Sequence, residues 1–206
     1  ALGLLAACCD GRADAVRAML RDAGLEDLFA TRRLDHVLAA LERGGAAVAT
    51  TSAGRLFDAV SCLLRLCQVS SYEGQAAMAV EWAAAKADAP LPVLPPCSIR
   101  ESEPLVLDWT PMLRGLLHAL RDGAPAGGLA AAFHHSLVEG MAAVARRAAL
   151  HEVVLGGGCF QNQLLLESLV RRLRADGHSV YWPQLVPPND GGISLGQAAV
   201  AAYGGL

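Results

Sequence analysis

Apolar residues recur at intervals of three and four over the first hundred positions. Leu2 to Leu20 and Leu34 to Leu41 carry that spacing in Ala-, Leu- and Arg-rich sequence, and each predicts a helix with one buried stripe. A helix from about Ala53 to Leu66 follows, with Leu56, Val60, Leu63 and Leu64 on one side, then a short one from Gln75 to Lys86. The segment Asp88–Pro104 holds prolines at 90, 92, 95, 96 and 104, which no helix interior tolerates. It reads as an extended connector.

Beyond the connector the rhythm changes. Pro104–Trp109 (PLVLDW) is a short apolar run suited to a strand, and Thr110 opens a helix with Pro111 at its first position. After a loop at Asp122–Gly128, a long helix is predicted from Leu129 to Leu150. His151–Leu155 is a strand, and Phe160–Ala175 is a helix with Leu164, Leu165, Leu169 and Leu173 facing inward. His178–Trp182 is a strand and Gly192–Tyr203 a final helix. Strand and helix in alternation, joined by short loops, predict a parallel sheet covered by helices. The expected class is therefore α/β, with a helix-rich segment at 1–103 and an α/β part at 104–206, joined as one continuous lobe.

The chain has 206 residues, 53% of them hydrophobic, which is ample for a buried core and excludes a disordered chain. Lys+Arg number 17 against Asp+Glu 20, for a formal net charge of -3, and no basic stripe is present. That excludes a nucleic-acid binder working by phosphate neutralisation. No run of about 18 apolar residues exists, so no membrane-spanning helix is expected. Ala1 opens the chain without a positively charged leader, so a secretory signal is not expected and the chain is read as a piece of a longer one. Cys8, Cys9, Cys62, Cys67, Cys97 and Cys159 form no C-x-x-C and no Cys/His quartet. They read as small buried hydrophobes in a reducing, cytoplasmic compartment, with Cys62 and Cys67 on different faces of one helix.

Four stretches carry candidate chemistry. In Leu155–Asn162 (LGGGCFQN) a strand runs into Gly156, Gly157 and Gly158 and then directly into a helix. Bare backbone N–H groups at a helix start suit a phosphate, and a tight turn needing positive φ is the alternative. It is neither a Walker A loop nor G-x-G-x-x-G. In Pro187–Gly192 (PPNDGG) a carboxylate could meet a metal ion, or Asn189 or Asp190 could simply cap the last helix. Gly54, Arg55 and Asp58 stand at a helix start, where Arg55 and Asp58 also make an ordinary i,i+3 pair. Glu73, before Gly74, could accept hydrogen bonds from a ribose or merely start a helix. His134 and His135 point about 100° apart and cannot chelate one ion together; one is expected against the sheet and the other in solvent.

Taken together, TTSAGRLFDAVSCLL (Thr50–Leu64), SSYEGQAAM (Ser70–Met78), FHHSLVEGMA (Phe133–Ala142), LGGGCFQNQLLLESL (Leu155–Leu169) and VPPNDGGISLGQA (Val186–Ala198) resemble the C-terminal part of the hydrogenase-maturation carbamoyltransferases, the HypF family. Order and spacing match from about Ala46 onward. The resemblance implies the second lobe of an actin-like, RNase-H-related ATPase fold. It also implies that carbamoyl phosphate and ATP are converted to carbamoyl adenylate, and that the carbamoyl group passes to the C-terminal cysteine of the partner HypE in [NiFe]-hydrogenase maturation. On that footing Gly156, Gly157, Gly158 and Asn162 are expected nucleotide contacts, Asp190 an expected ligand of a divalent metal, and Gly54, Arg55, Asp58, Glu73 and Gly74 further nucleotide or transfer-site residues.

A complete member of that family carries acylphosphatase-like, zinc-binding and adenylate-forming domains ahead of this region. Its H-x-x-x-H metal pair has no counterpart here, since no two histidines are four apart. The chain alone is accordingly expected to fold, to expose an apolar face, and not to catalyse transfer. A small-molecule O-carbamoyltransferase lobe and a non-catalytic partner-binding module are the alternatives.

Overall fold

A computed structural model describes residues 1–43, 50–88 and 91–203; Pro90 of the connector lies outside them. The architecture is α/β, in two compact units, Ala1–Gly140 and Met141–Leu206.

The first unit is mostly helical. Its elements are α1 (Leu2–Cys8), α2 (Ala13–Asp22), α3 (Thr31–Glu42), α4 (Ala53–Leu63), α5 (Gln75–Ala85), the strands β1 (Ser98–Arg100) and β2 (Val106–Asp108), and α6 (Thr110–Arg121). The long α7 (Ala126–Ala148) contains the boundary between the units. Leu2–Leu20, expected as one helix, is two. Asp10 and Gly11 adopt left-handed φ of 51° and 78°, and the N–H of Gly11 turns back to donate to Ala6 O at 2.9 Å. An Asp-Gly pair is a helix stop, and here it folds α2 back so that Leu5, Val16, Leu20, Leu25 and Leu38 share one core with Leu63 and Leu113. α4 stops at Leu63 rather than Leu66, because Arg65 is left-handed (φ 58°) and the N–H of Leu66 donates to Ser61 O at 2.9 Å. Arg65 is held there by Asp27 and by Gly24 O. Cys67 therefore lies past the helix end, not on another face of it.

Phe57 and Phe133 meet edge to face at 5.0 Å between centroids, and His134 joins them 5.3 Å from Phe57. His134 is buried, its Nδ1 2.8 Å from Ala130 O, while His135 is exposed. The buried histidine thus packs among aromatic rings rather than against a sheet.

The proline segment does more than connect. Its residues 91–97 lie extended over the glycines of α6 and α7: a Cβ on Gly115 would meet Pro95 Cδ at 2.1 Å, and one on Gly128 would meet Pro92 Cδ at 3.1 Å. It then forms β1, which pairs antiparallel with β2 in the register Ser98↔Asp108, Ile99↔Leu107, Arg100↔Val106. The PLVLDW strand therefore belongs to this two-stranded pair and not to the parallel sheet. The short link between β1 and β2 cannot hold the crossover that a parallel pairing needs.

The second unit contains β3 (Glu152–Val154), α8 (Gln163–Ala175), β4 (Ser179–Tyr181) and α9 (Ile193–Tyr203). β3 and β4 are parallel, with Val153 opposite Val180, and α8 is the connection between them. Its Leu165, Leu169, Val170 and Leu173 are buried; Leu164, expected inward, is half-buried, and Val170 takes its place. Asp176, past the end of α8, pairs with Arg146 of α7 and Arg172 of α8. Every residue of α9 is exposed, Val200 and Tyr203 at 70% and 76%.

Candidate functional site

The glycine loop leaves β3 at its carboxyl end. The N–H of Leu155 donates to Tyr181 O at 2.8 Å, carrying the parallel ladder one residue beyond the strand. Gly157 then adopts φ 101°, ψ 155°, a region essentially open to glycine alone. Its N–H donates to Pro188 O at 2.9 Å. The triplet does not run directly into a helix as expected. A 3-10 turn, Gly158–Gln161, intervenes, and buried Asn162 then caps α8, its Oδ1 accepting from the N–H of Leu165 at 2.8 Å. That cap serves one of the helix's free N–H groups. A Cβ built on Gly156 or Gly157 would meet nothing within 4 Å, so this side of the loop is open.

The PPNDGG loop closes against it. The N–H of Gly191 donates to Asn189 Oδ1 at 3.0 Å, and that of Gly192 to Asn189 O at 2.9 Å, closing a 3-10 turn over Asp190–Gly192. A Cβ on Gly191 would lie 2.8 Å from Pro187 Cγ, and one on Gly192 3.1 Å from Pro187 O. The two glycines are therefore what lets the turn sit on Pro187. Asn189 caps this 3-10 turn, which precedes α9, rather than α9 itself; the Asp190 carboxylate is exposed and makes no hydrogen bond or ion pair among the described residues. The Gly157–Pro188 bond, with Asn189 Cβ 3.7 Å from a Cβ built on Gly158, joins both motifs into one rim beyond the carboxyl ends of β3 and β4. Ligands of open α/β sheets bind at such ends.

The remaining candidates lie in the first unit. Gly54 and Arg55 are in the first turn of α4, and Arg55 pairs with Asp58 at 2.8 Å on a solvent-facing side. Gly74 is left-handed (φ 80°) and begins α5, which accounts for a glycine there; Glu73 beside it is exposed. Among the described residues no group of three His, Cys, Asp or Glu side chains could hold a metal ion. Asp190 alone is not a protein-built metal site.

Burial pushes the thiols of Cys8 and Cys97 up to about 11, and Cys159, next to the triplet, is half-buried. Two grooves lie elsewhere. One of about 310 Å³ includes Cys9, Arg12, Arg114 and His118; the other, about 570 Å³, follows α8 past Leu166, Val170, Arg171, Arg174 and Trp182. Neither includes a nucleotide- or metal-site candidate from the sequence. What sequence reasoning missed was the division of labour within PPNDGG, for which the Asx-turn tendency of Asn ahead of a glycine was the available signal.

Residues 1–197 match the family described as "Carbamoyltransferase, Kae1-like Domain, second subdomain". The chain belongs to the HypF carbamoyltransferase family. The carbamoyltransferase HypF of Rhizobium leguminosarum bv. viciae is 42% identical to it over 157 residues, covering 74% of this chain and 20% of that relative. A full-length HypF in a phosphate- and nucleotide-bound form has a TM-score of 0.79 and 32% identity over 89% of this chain and 24% of its own. The HypF of T. kodakarensis shares the fold, with a TM-score of 0.80 at 22% identity over 97% of this chain and 27% of its own. The chain thus spans about a fifth to a quarter of the length of these three HypF relatives. The motif resemblance and the expected α/β second-lobe fold are both borne out. No described helix is long and apolar enough to cross a membrane.

Proposed function

We propose that this chain is the part of a HypF carbamoyltransferase in which the glycine loop and the PPNDGG loop form one wall of an ATP site. The observation that carries this is the rim itself. Two separate motifs are bonded to each other, the free side of Gly156 stays open, and Asp190 is the motif residue left with no part in holding the loop. The phosphate and nucleotide bound by a related full-length HypF support the same ligand class. In this reading the N–H groups of Gly156 and Gly158 face phosphate oxygens, since that of Gly157 is committed to Pro188. Asn162 keeps the loop and α8 in register from its capping position. Asp190 holds a divalent cation, which screens phosphate charge when bound. Gly54, Arg55, Asp58, Glu73 and Gly74 belong to the same function as nucleotide or transfer-site residues. In the complete polypeptide, with its preceding domains, the activity is conversion of carbamoyl phosphate and ATP to carbamoyl adenylate. The carbamoyl group then passes to the C-terminal cysteine thiol of HypE, in [NiFe]-hydrogenase maturation.

The test is calorimetry of ATP with Mg²⁺ on the natural full-length protein and two variants. Gly156→Ala puts a methyl group on the open side of the loop without backbone strain, and Asp190→Asn removes the charge while keeping the shape. Each should weaken binding by about tenfold, the worth of one charge-assisted contact, with thermal stability unchanged. Parent-like affinity in both would return the loops to a purely structural role.

A further inference from the structure

The PPNDGG loop contains a side chain, Asn189, that closes the turn around Asp190 and stands beside the glycine loop. Asn189 Oδ1 accepts from the N–H of Gly191, its main-chain carbonyl accepts from that of Gly192, and its Cβ stands 3.7 Å from where a Cβ of Gly158 would be. Pro187 packs on the same turn from the other side, 2.8 Å from a Cβ built on Gly191. Between these contacts lies Asp190, whose own side chain makes none among the described residues. Its direction is therefore set by the turn that Asn189 caps and not by any bond of the carboxylate itself.

We propose that Asn189 is a positioning residue, aiming the Asp190 carboxylate at the ligand by locking the Asp190–Gly192 turn against the glycine loop. This rests on the nucleotide reading above and adds a residue to it. An amide side chain suits the role, because it accepts the turn's hydrogen bond without placing a second negative charge beside phosphate. Alanine removes the acceptor. Serine restores a neutral acceptor at a capping position where it performs about as well as asparagine.

The experiment uses the natural full-length protein with Asn189→Ala, Asn189→Ser and, as reference, Asp190→Asn. ATP affinity is measured by calorimetry across a Mg²⁺ series, and amide hydrogen exchange over residues 186–193 is followed without nucleotide. Loss of a residue that orients a ligating group costs about 10- to 100-fold in affinity. Asn189→Ala should therefore weaken Mg²⁺-dependent ATP binding by at least about tenfold and speed exchange at Gly191. Asn189→Ser should recover most of both. Parent-like affinity in Asn189→Ala, with Asp190→Asn weakened, would overturn the positioning role and leave the nucleotide reading standing. A serine variant as weak as the alanine one would overturn it too, since capping would not be what matters. Parent-like affinity in Asp190→Asn would overturn the positioning role, since there would be no ligating carboxylate to aim; the nucleotide reading falls only if Gly156→Ala is parent-like as well.

Discussion

Replacing Gly157 by alanine puts a side chain on a residue at φ 101°, ψ 155°. Holding an L residue there costs on the order of 1–3 kcal/mol. No collision adds to that cost, since the new Cβ would meet nothing within 4 Å. The chain has one other course, which is to rotate the peptide back to an ordinary conformation and release the Pro188 carbonyl. A hydrogen bond of that kind contributes about 0.5–1.5 kcal/mol net, so over most of the strain range release is the cheaper course. The expected stability loss is therefore about 1 kcal/mol rather than the full strain. Its signature is local: faster amide exchange over residues 155–158 and 186–192, with α8 unchanged. Gly156→Ala is the control, adding the same methyl group at a residue outside the left-handed region with open space around it. It should stay within about 0.5 kcal/mol of the parent and exchange normally. Hydrogen exchange by mass spectrometry, beside urea denaturation, measures both. Parent-like exchange over 186–192 in Gly157→Ala would refute the reasoning. So would equal disruption by Gly156→Ala, which would make crowding the governing factor.

Gly115→Ala should destabilise the first unit by about 1–3 kcal/mol in urea denaturation, because its Cβ falls 2.1 Å from Pro95 Cδ in a packed contact. Adding Pro95→Ala should recover part of the loss, and an unperturbed Gly115→Ala would mean that the proline segment does not rest on α6. Hydrogen bonds from Arg146 first, and also from Arg172, hold the Asp176 carboxyl below its ordinary value of 3.8. A carboxyl lowered on folding binds fewer protons in the folded state, so its contribution is complete above the ordinary value and is lost as pH falls through the lowered one. Asp176→Asn should therefore be less stable than the parent at pH 7 and converge with it on acidification, and a gap that persists unchanged as pH falls well below the ordinary value of 3.8 would count against the pairing.

Most helices were legible from the sequence because helical periodicity lies in contiguous residues: Leu56, Val60 and Leu63 mark the buried side of α4, and Leu165, Leu169 and Leu173 that of α8. The ends were less legible. Arg65 takes the left-handed position that closes α4, and its guanidinium is held by Asp27 and Gly24, far away in sequence. β1 was hidden in the proline segment, since three residues are too few to show an alternation and its pairing depends on β2. The motifs also identified the family, because several short exact stretches in a fixed order carry more information than any one of them. What the residues alone left open was which roles those stretches play. A glycine triplet reads equally as a turn or a cradle, and either Asn189 or Asp190 could cap. The Asn189 turn is local, closed by the N–H groups of Gly191 and Gly192 two and three residues on, and Asx-turn chemistry is enough to form it. Only the tertiary structure decided that Gly157 spends its N–H on Pro188. The physical reason is that this contact joins loops separated by α8 and β4, and it exists only once β3 and β4 pair in one register and bring the two carboxyl ends side by side.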